Sequence, residues 1–198
     1  MRKLIFKVTQ TRMWRWLLME VIPYIRFSMY YTSLNGWDYH RAYNLVEAGD
    51  IILTRDNKKM TTMLIGGEFT HAALYLGEHG WYEMCDMTHE SFRKCHLFDA
   101  FKESDRVAIY RIKMNDEQRF QLTYRAKTFE KCKYDVGFSL GVKTLYCSEL
   151  IYQAYKMSGI HLDVSLEDLA GLGVDYISPT GLSNAKNATC VYDSEWSK

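Results

Sequence analysis

The stretch from Thr70 to Met87 restricts the fold of this chain more than any other part of its sequence. Thr70 to Leu76 (THAALYL) is an apolar run without a charge, Gly77-Glu78-His79-Gly80 is built of turn formers, and Trp81 to Met87 returns to apolar residues. Two extended runs around a glycine-flanked turn predict a β-hairpin. A hairpin is not stable alone in water, so it must bury a face against further strands or a helix. Asp50 to Arg55 (DIILTR), after the Gly49 turn, and Val107 to Met114 supply two more strand candidates. Asn115 opens a helix with Gln118 as its capping-box partner; that helix carries Phe120, Ala126, Phe129 and Cys132 and ends near Lys133. Leu145 to Met157 holds a second helix, stopped by Gly159. Residues 57–65 suit a short helix ending at Gly66-Gly67, and Ser178-Pro179 reads as a cap with proline in the first helical position. The pattern predicts an α+β fold: a small antiparallel β-sheet or barrel packed against the helix at 145–157.

The N-terminal part is different in kind. Residues 11–31 are rich in Trp, Leu, Met, Ile, Tyr and Phe, and Arg12, Arg15, Glu20 and Arg26 fall within an arc of roughly 140° on a helical wheel. Pro23 breaks or kinks such a helix. The segment either packs its apolar face on the main domain or lies on a membrane surface or along a substrate cleft. We therefore expect a helical addition over residues 1–46 and a catalytic domain over 47–198. With 25 Lys and Arg against 24 Asp and Glu, the chain has no global pull toward nucleic acid. Lys7, Arg12 and Arg15 interrupt any N-terminal apolar run and no stretch of 18 uncharged apolar residues exists, so neither a signal peptide nor a membrane span is expected.

Five cysteines, at 85, 95, 132, 147 and 190, include no Cys-x-x-Cys pair, which argues against a zinc site or a disulfide framework and for reduced thiols in the cytoplasm. Cys147 is set apart by its place at the start of a helix. Unpaired N–H groups and the positive end of the helix dipole favour its thiolate, the nucleophilic form. The same N–H groups can hold an oxyanion. Cys132 falls at a helix end, where the dipole opposes ionisation. His71 opens a strand among small apolar residues, a setting for either a core histidine or a base for a thiol. The group orienting it is Glu83 if the hairpin loop has an odd number of residues, or Asp86 if the loop has two or four. Either would accept the Nδ1 hydrogen and fix the tautomer.

The segments GDIILTR, THAALYLG, WYEM, YD and YCSELIYQAY, in that order, and the later ISPTGL resemble the permuted papain-like amidase family, the YiiX-like branch of the NlpC-type cysteine peptidase superfamily. The resemblance spans roughly residues 48–193. It implies a circularly permuted papain-like fold, with His71 as base, Glu83 as the orienting residue and Cys147 as nucleophile, and its spacing favours Glu83 over Asp86. It also points to Tyr134 as an oxyanion support, although the family's usual preceding proline is Lys133 here. Asp135 suits a turn cap. The lecithin retinol acyltransferase-like group shares the permuted order, but its nucleophile sits in an Asn-Cys-Glu-His context and its third residue is commonly His.

The resemblance implies a cysteine hydrolase of an amide, peptide, isopeptide or thioester bond, working through an acyl-cysteine without metal or organic cofactor. The alternatives are a lipid-acting acyltransferase or phospholipase, or a binding protein on the same scaffold. Its partner would be a peptide, amide or lipid conjugate, and residues 11–31 are a candidate for peripheral membrane contact.

Overall fold

The computed structural model describes residues 11–25, 34–59, 62, 66–77, 82–138, 140–168 and 173–197. Strands β1 (Ile51–Arg55), β2 (His71–Tyr75), β3 (Met84–Met87), β4 (Phe92–Cys95) and β5 (Arg106–Ile112) are followed by two short pairs, β6 (Lys133–Tyr134) with β7 (Thr144–Leu145) and β8 (Glu167–Asp168) with β9 (Asp175–Tyr176). β10 (Ala188–Asp193) closes the set. One six-stranded sheet runs in the order β10-β5-β1-β2-β3-β4, with every described pair antiparallel. The expected α+β class holds. A closed barrel does not form, because β10 and β4 end the sheet as separate edges.

The helices explain why the sheet stays open. The α-helices are α1 (Arg12–Glu20), α2 (Gly36–Leu45), α3 (Leu97–Glu103), α4 (Asp116–Lys127), α5 (Cys147–Met157) and α6 (Pro179–Ser183). Side chains alternate along a strand, so Ile51, Leu53, Ala72, Leu74, Cys85 and Met87 line one face and Ile52, Ala73, Tyr75, Met84 and Ile109 the other. Leu122 and Ala126 of α4 and Leu150, Ile151 and Ala154 of α5 cover the first face. Ala42 of α2 and Leu97, Ala100 and Phe101 of α3 cover the second. Burial on both faces is the reason β1 reads as an unbroken apolar run, and each fully buried large side chain contributes about 1.5–3 kcal/mol.

Most expected elements appear with shifted ends. The helix opened by Asn115 has its capping box, with Asn115 Oδ1 accepting from the Gln118 N–H at 2.8 Å, and a 3-10 helix, Thr128–Lys131, carries it on toward Lys133. Gly159, at φ +68°, sits where α5 stops. Gly77 leaves β2 at φ +74°, and a Cβ there would meet the Ala48 Cβ at 2.5 Å. The helix expected over 57–65 lies largely outside the described residues. α1 stops at Glu20 and Pro23 falls in a 3-10 helix, Ile22–Tyr24; Arg26 is outside the described residues. No helix among the described residues is long and apolar enough to cross a membrane.

Candidate active site

Cys147 is the first residue of α5, and its neighbours in sequence fix that helix start. The Tyr146 hydroxyl accepts from the Ile177 N–H at 2.9 Å, and the Ser148 hydroxyl donates to the Ile177 carbonyl at 2.6 Å. Both polar groups of one backbone residue are thus held from either side of the cysteine. At the far end of the helix core, the Tyr155 hydroxyl donates to the Gly49 carbonyl at 2.6 Å, tying α5 to the loop that enters β1. The parallel pairing of β6 with β7 sets Tyr134 opposite Leu145, two residues before Cys147.

The Cys147 side chain is buried, and burial favours the neutral thiol. Hydrogen bonding and charge from His71, with the N–H groups of Ala72 and Ser148 directed at the sulfur, outweigh it and bring the thiol below its ordinary value. The other four cysteines all move the opposite way, with burial as the leading cause. All five thiols are free. For His71, burial also disfavours charge, but hydrogen bonds to Asp86 and Cys147 reverse it and raise the imidazole to about 9. A low thiol beside a high imidazole is the electrostatic signature of a thiolate–imidazolium pair.

The carboxylate beside His71 belongs to Asp86. The His71 Nε2 lies 2.8 Å from Asp86 Oδ2. Nδ1 is therefore the ring nitrogen left for the thiol, the reverse of the expected tautomer arrangement. Asp86 is fully buried, a cost that its bonds to His71 and Arg93 outweigh, so its pKa is lowered. Arg93 forks onto it, with Nε 3.1 Å from Oδ1 and Nη2 2.7 Å from Oδ2.

Glu83 is not brought to His71. The hairpin register pairs Ala73 with Asp86 and Tyr75 with Met84, and the Leu76 N–H donates to the Glu83 carbonyl at 2.6 Å. The connection, residues 77–82, is even in number but longer than the two or four considered from sequence. It sets Glu83 beside Leu76, five residues up the strand from His71, a separation of about 16 Å at strand spacing. Asp86 lies diagonally across from His71, within side-chain reach. Glu83 instead caps a helix, where its Oε2 accepts from the Leu97 N–H at 3.0 Å, an unpaired donor at the start of α3.

Tyr134 stays protonated, held up by burial and then by the charge of Cys147, so it keeps an O–H that can donate toward that site. Asp135 caps a turn as expected, its Oδ1 accepting from the Gly137 N–H at 2.8 Å. Two residues with no sequence signal hold the loop between β6 and β7. Glu149 Oε1 accepts from the Gly141 N–H at 2.6 Å, and Gln153 Nε2 donates to the Gly141 carbonyl at 2.8 Å. Their spacing of four residues on α5 places both over one turn, a clue legible only once the loop is known to pack there.

This geometry is accompanied by a family match. The model of the permuted papain-like amidase enzymes, YaeF/YiiX, C92 family, matches residues 45–172. The chain belongs to that family. Its members are papain-like amidases, so the protein is a cysteine peptidase- or amidase-type hydrolase by class. The crystal structure of metalloprotein yiiX from Escherichia coli O157:H7 has a similar fold, with a TM-score of 0.58 at 17% identity over 76% of this chain and 98% of that one. No match was found among curated proteins. That protein is described as a metalloprotein; among the described residues of this chain, no three His, Cys, Asp or Glu side chains are grouped to hold a metal.

Proposed function

We propose that this protein hydrolyses an amide, peptide, isopeptide or thioester bond through an acyl-cysteine intermediate, with Cys147 as nucleophile, His71 as acid and base, and Asp86 in the orienting role expected of Glu83. The observation that carries the reading is the meeting of the buried Cys147 thiol, at the start of α5, with a His71 ring whose Nε2 lies 2.8 Å from the buried Asp86 carboxylate.

In the first half-reaction the Cys147 thiolate adds to the substrate carbonyl carbon, forming the C–S bond and an oxyanion. The Cys147 backbone N–H, at the helix start, and the Tyr134 O–H stabilise that oxyanion. The oxyanion collapses, the bond to the leaving amine or thiol breaks, and His71 supplies the leaving group's proton. Water then attacks the thioester while neutral His71 takes its proton. The C–S bond breaks, releasing the acid and restoring the ion pair. Asp86 holds the ring through Nε2 at every stage. The substrate is a peptide, amide or lipid conjugate. The five free thiols support a cytoplasmic setting.

Cys147→Ala tests the assignment. The variant should keep the wild-type circular dichroism spectrum and lose more than about 10³-fold of the turnover of an activated acyl ester. The acyl adduct seen by mass spectrometry on the wild type should also disappear. Turnover retained in the variant would remove Cys147 from the mechanism.

A further inference from the structure

The His71–Asp86 contact does not end at Asp86. The strand register sets Asp86 opposite Ala73 on one side and opposite Arg93 on the other. A row of alternating charge therefore crosses three strands, from His71 on β2 through Asp86 on β3 to Arg93 on β4. Asp86 Oδ1 bonds to Arg93, while Oδ2 is shared by Arg93 and His71. Asp86 has no exposure to solvent, so no water can replace a lost partner without rearrangement. β4 is the edge strand, and the Arg93 side chain keeps 37% of its surface exposed there.

We propose that Arg93 is a positioning residue that keeps Asp86 ionised and aimed at His71, and so sets the pH range over which the Cys147–His71 pair forms. The role deepens the proposed function and rests on it. A planar fork fixes a carboxylate in rotation as well as in charge, which a single point cation does not. Without it, Asp86 would hold a buried oxygen with no partner and would take up a proton or turn away. His71 would then lose its anion, the imidazolium would weaken, and the thiolate it supports would form only at higher pH. The other ionisable groups around the row are Cys147 on α5, Glu103 on α3 at 4.0 Å from Arg93, and the Cys85 and Cys95 thiols, which burial keeps protonated. None of them can take over the fork.

The test is the rate of Cys147 alkylation by iodoacetamide as a function of pH, read by peptide mass spectrometry in the full chain. Arg93→Gln should move the acidic limb of the profile up by at least about one pH unit, since one unit corresponds to a tenfold change in the ionisation equilibrium. Arg93→Lys should move it less, because it keeps the charge and loses the fork. A residue needed only for folding would lower the rate equally at every pH. If Arg93→Gln does not fold, the shift in Arg93→Lys decides. Profiles that superimpose on the wild type overturn the proposal. A wild-type Cys147 that titrates as an ordinary thiol overturns the ion pair itself, and this role with it; a wild-type limb lying below the ordinary thiol range, with unshifted variants, overturns the role of Arg93 alone.

Discussion

Asp86 and Glu83 lie three residues apart on one hairpin, and both are buried carboxylates with defined partners. Their roles follow from those partners. Asp86→Ala should lower kcat by about 10²-fold or more, since the base loses the group that fixes its tautomer. Glu83→Ala should leave kcat within about tenfold of wild type and cost about 1 kcal/mol of stability, because the Leu97 N–H loses its acceptor. Steady-state kinetics and urea unfolding on both variants check the pair; the opposite pattern would restore Glu83 to the site. From sequence, the proposed nucleophile and base could be singled out because each stands where its element begins. The orienting residue could not, because a loop length decides it. With residues 77–82 connecting the strands, the carboxylate facing His71 depends on the register of that hairpin, and no local pattern in WYEMCDM encodes it.

At the scale of elements, α5 does two jobs. Its first residue carries the thiol, and Glu149 and Gln153 hold the Gly141 loop that lies between Tyr134 and Cys147 in sequence. Glu149 is wholly buried, and its Oε2 has no hydrogen-bond partner among the described residues. Burial, only partly offset by the Gly141 N–H and Gln153, raises its carboxyl to about 7. A carboxyl whose folded value lies above its unfolded value binds its proton more tightly in the native state. Its contribution to stability is complete below about 4.5 and is lost as pH rises through about 7. Glu149→Gln keeps an acceptor for Gly141 and removes the charge. It should raise Tm by about 3 °C or more at pH 8 and change it little at pH 4, as measured by differential scanning calorimetry. An equal effect at both pH values would mean that Glu149 titrates normally. The helix itself was legible from its cap signals and apolar spacing. Its grip on the loop was not, because the bonds run from side chains to backbone and leave no trace in residue type at Gly141.

The molecule as a whole is a sheet covered on both faces, and this shapes what could be read in advance. β1, β2 and β5 are apolar enough to be recognised as strands. β4 and β10 have mixed residues, FRKC and ATCVYD, because each lies at a sheet edge, so they carried no clear signal. An open sheet and a barrel have the same local pattern; helices on both faces decide between them, and α2 contributes through Ala42. The site forms where the two layers meet, with the His71 side chain about one-third exposed, at 32%, and the sulfur buried at the helix start. Solvent therefore reaches the pair without dispersing it. The most direct test is to alkylate all five cysteines of the native protein competitively with iodoacetamide between pH 5 and 10 and to quantify each by peptide mass spectrometry. Cys147 should react at least about 100-fold faster than the other four at pH 6, as its lowered ionisation requires. Loss of that preference in His71→Ala would complete the case. A Cys147 that reacts only as pH approaches the ordinary thiol range of about 8.5, or no faster than buried Cys85, would contradict the ion pair and the hydrolase mechanism built on it.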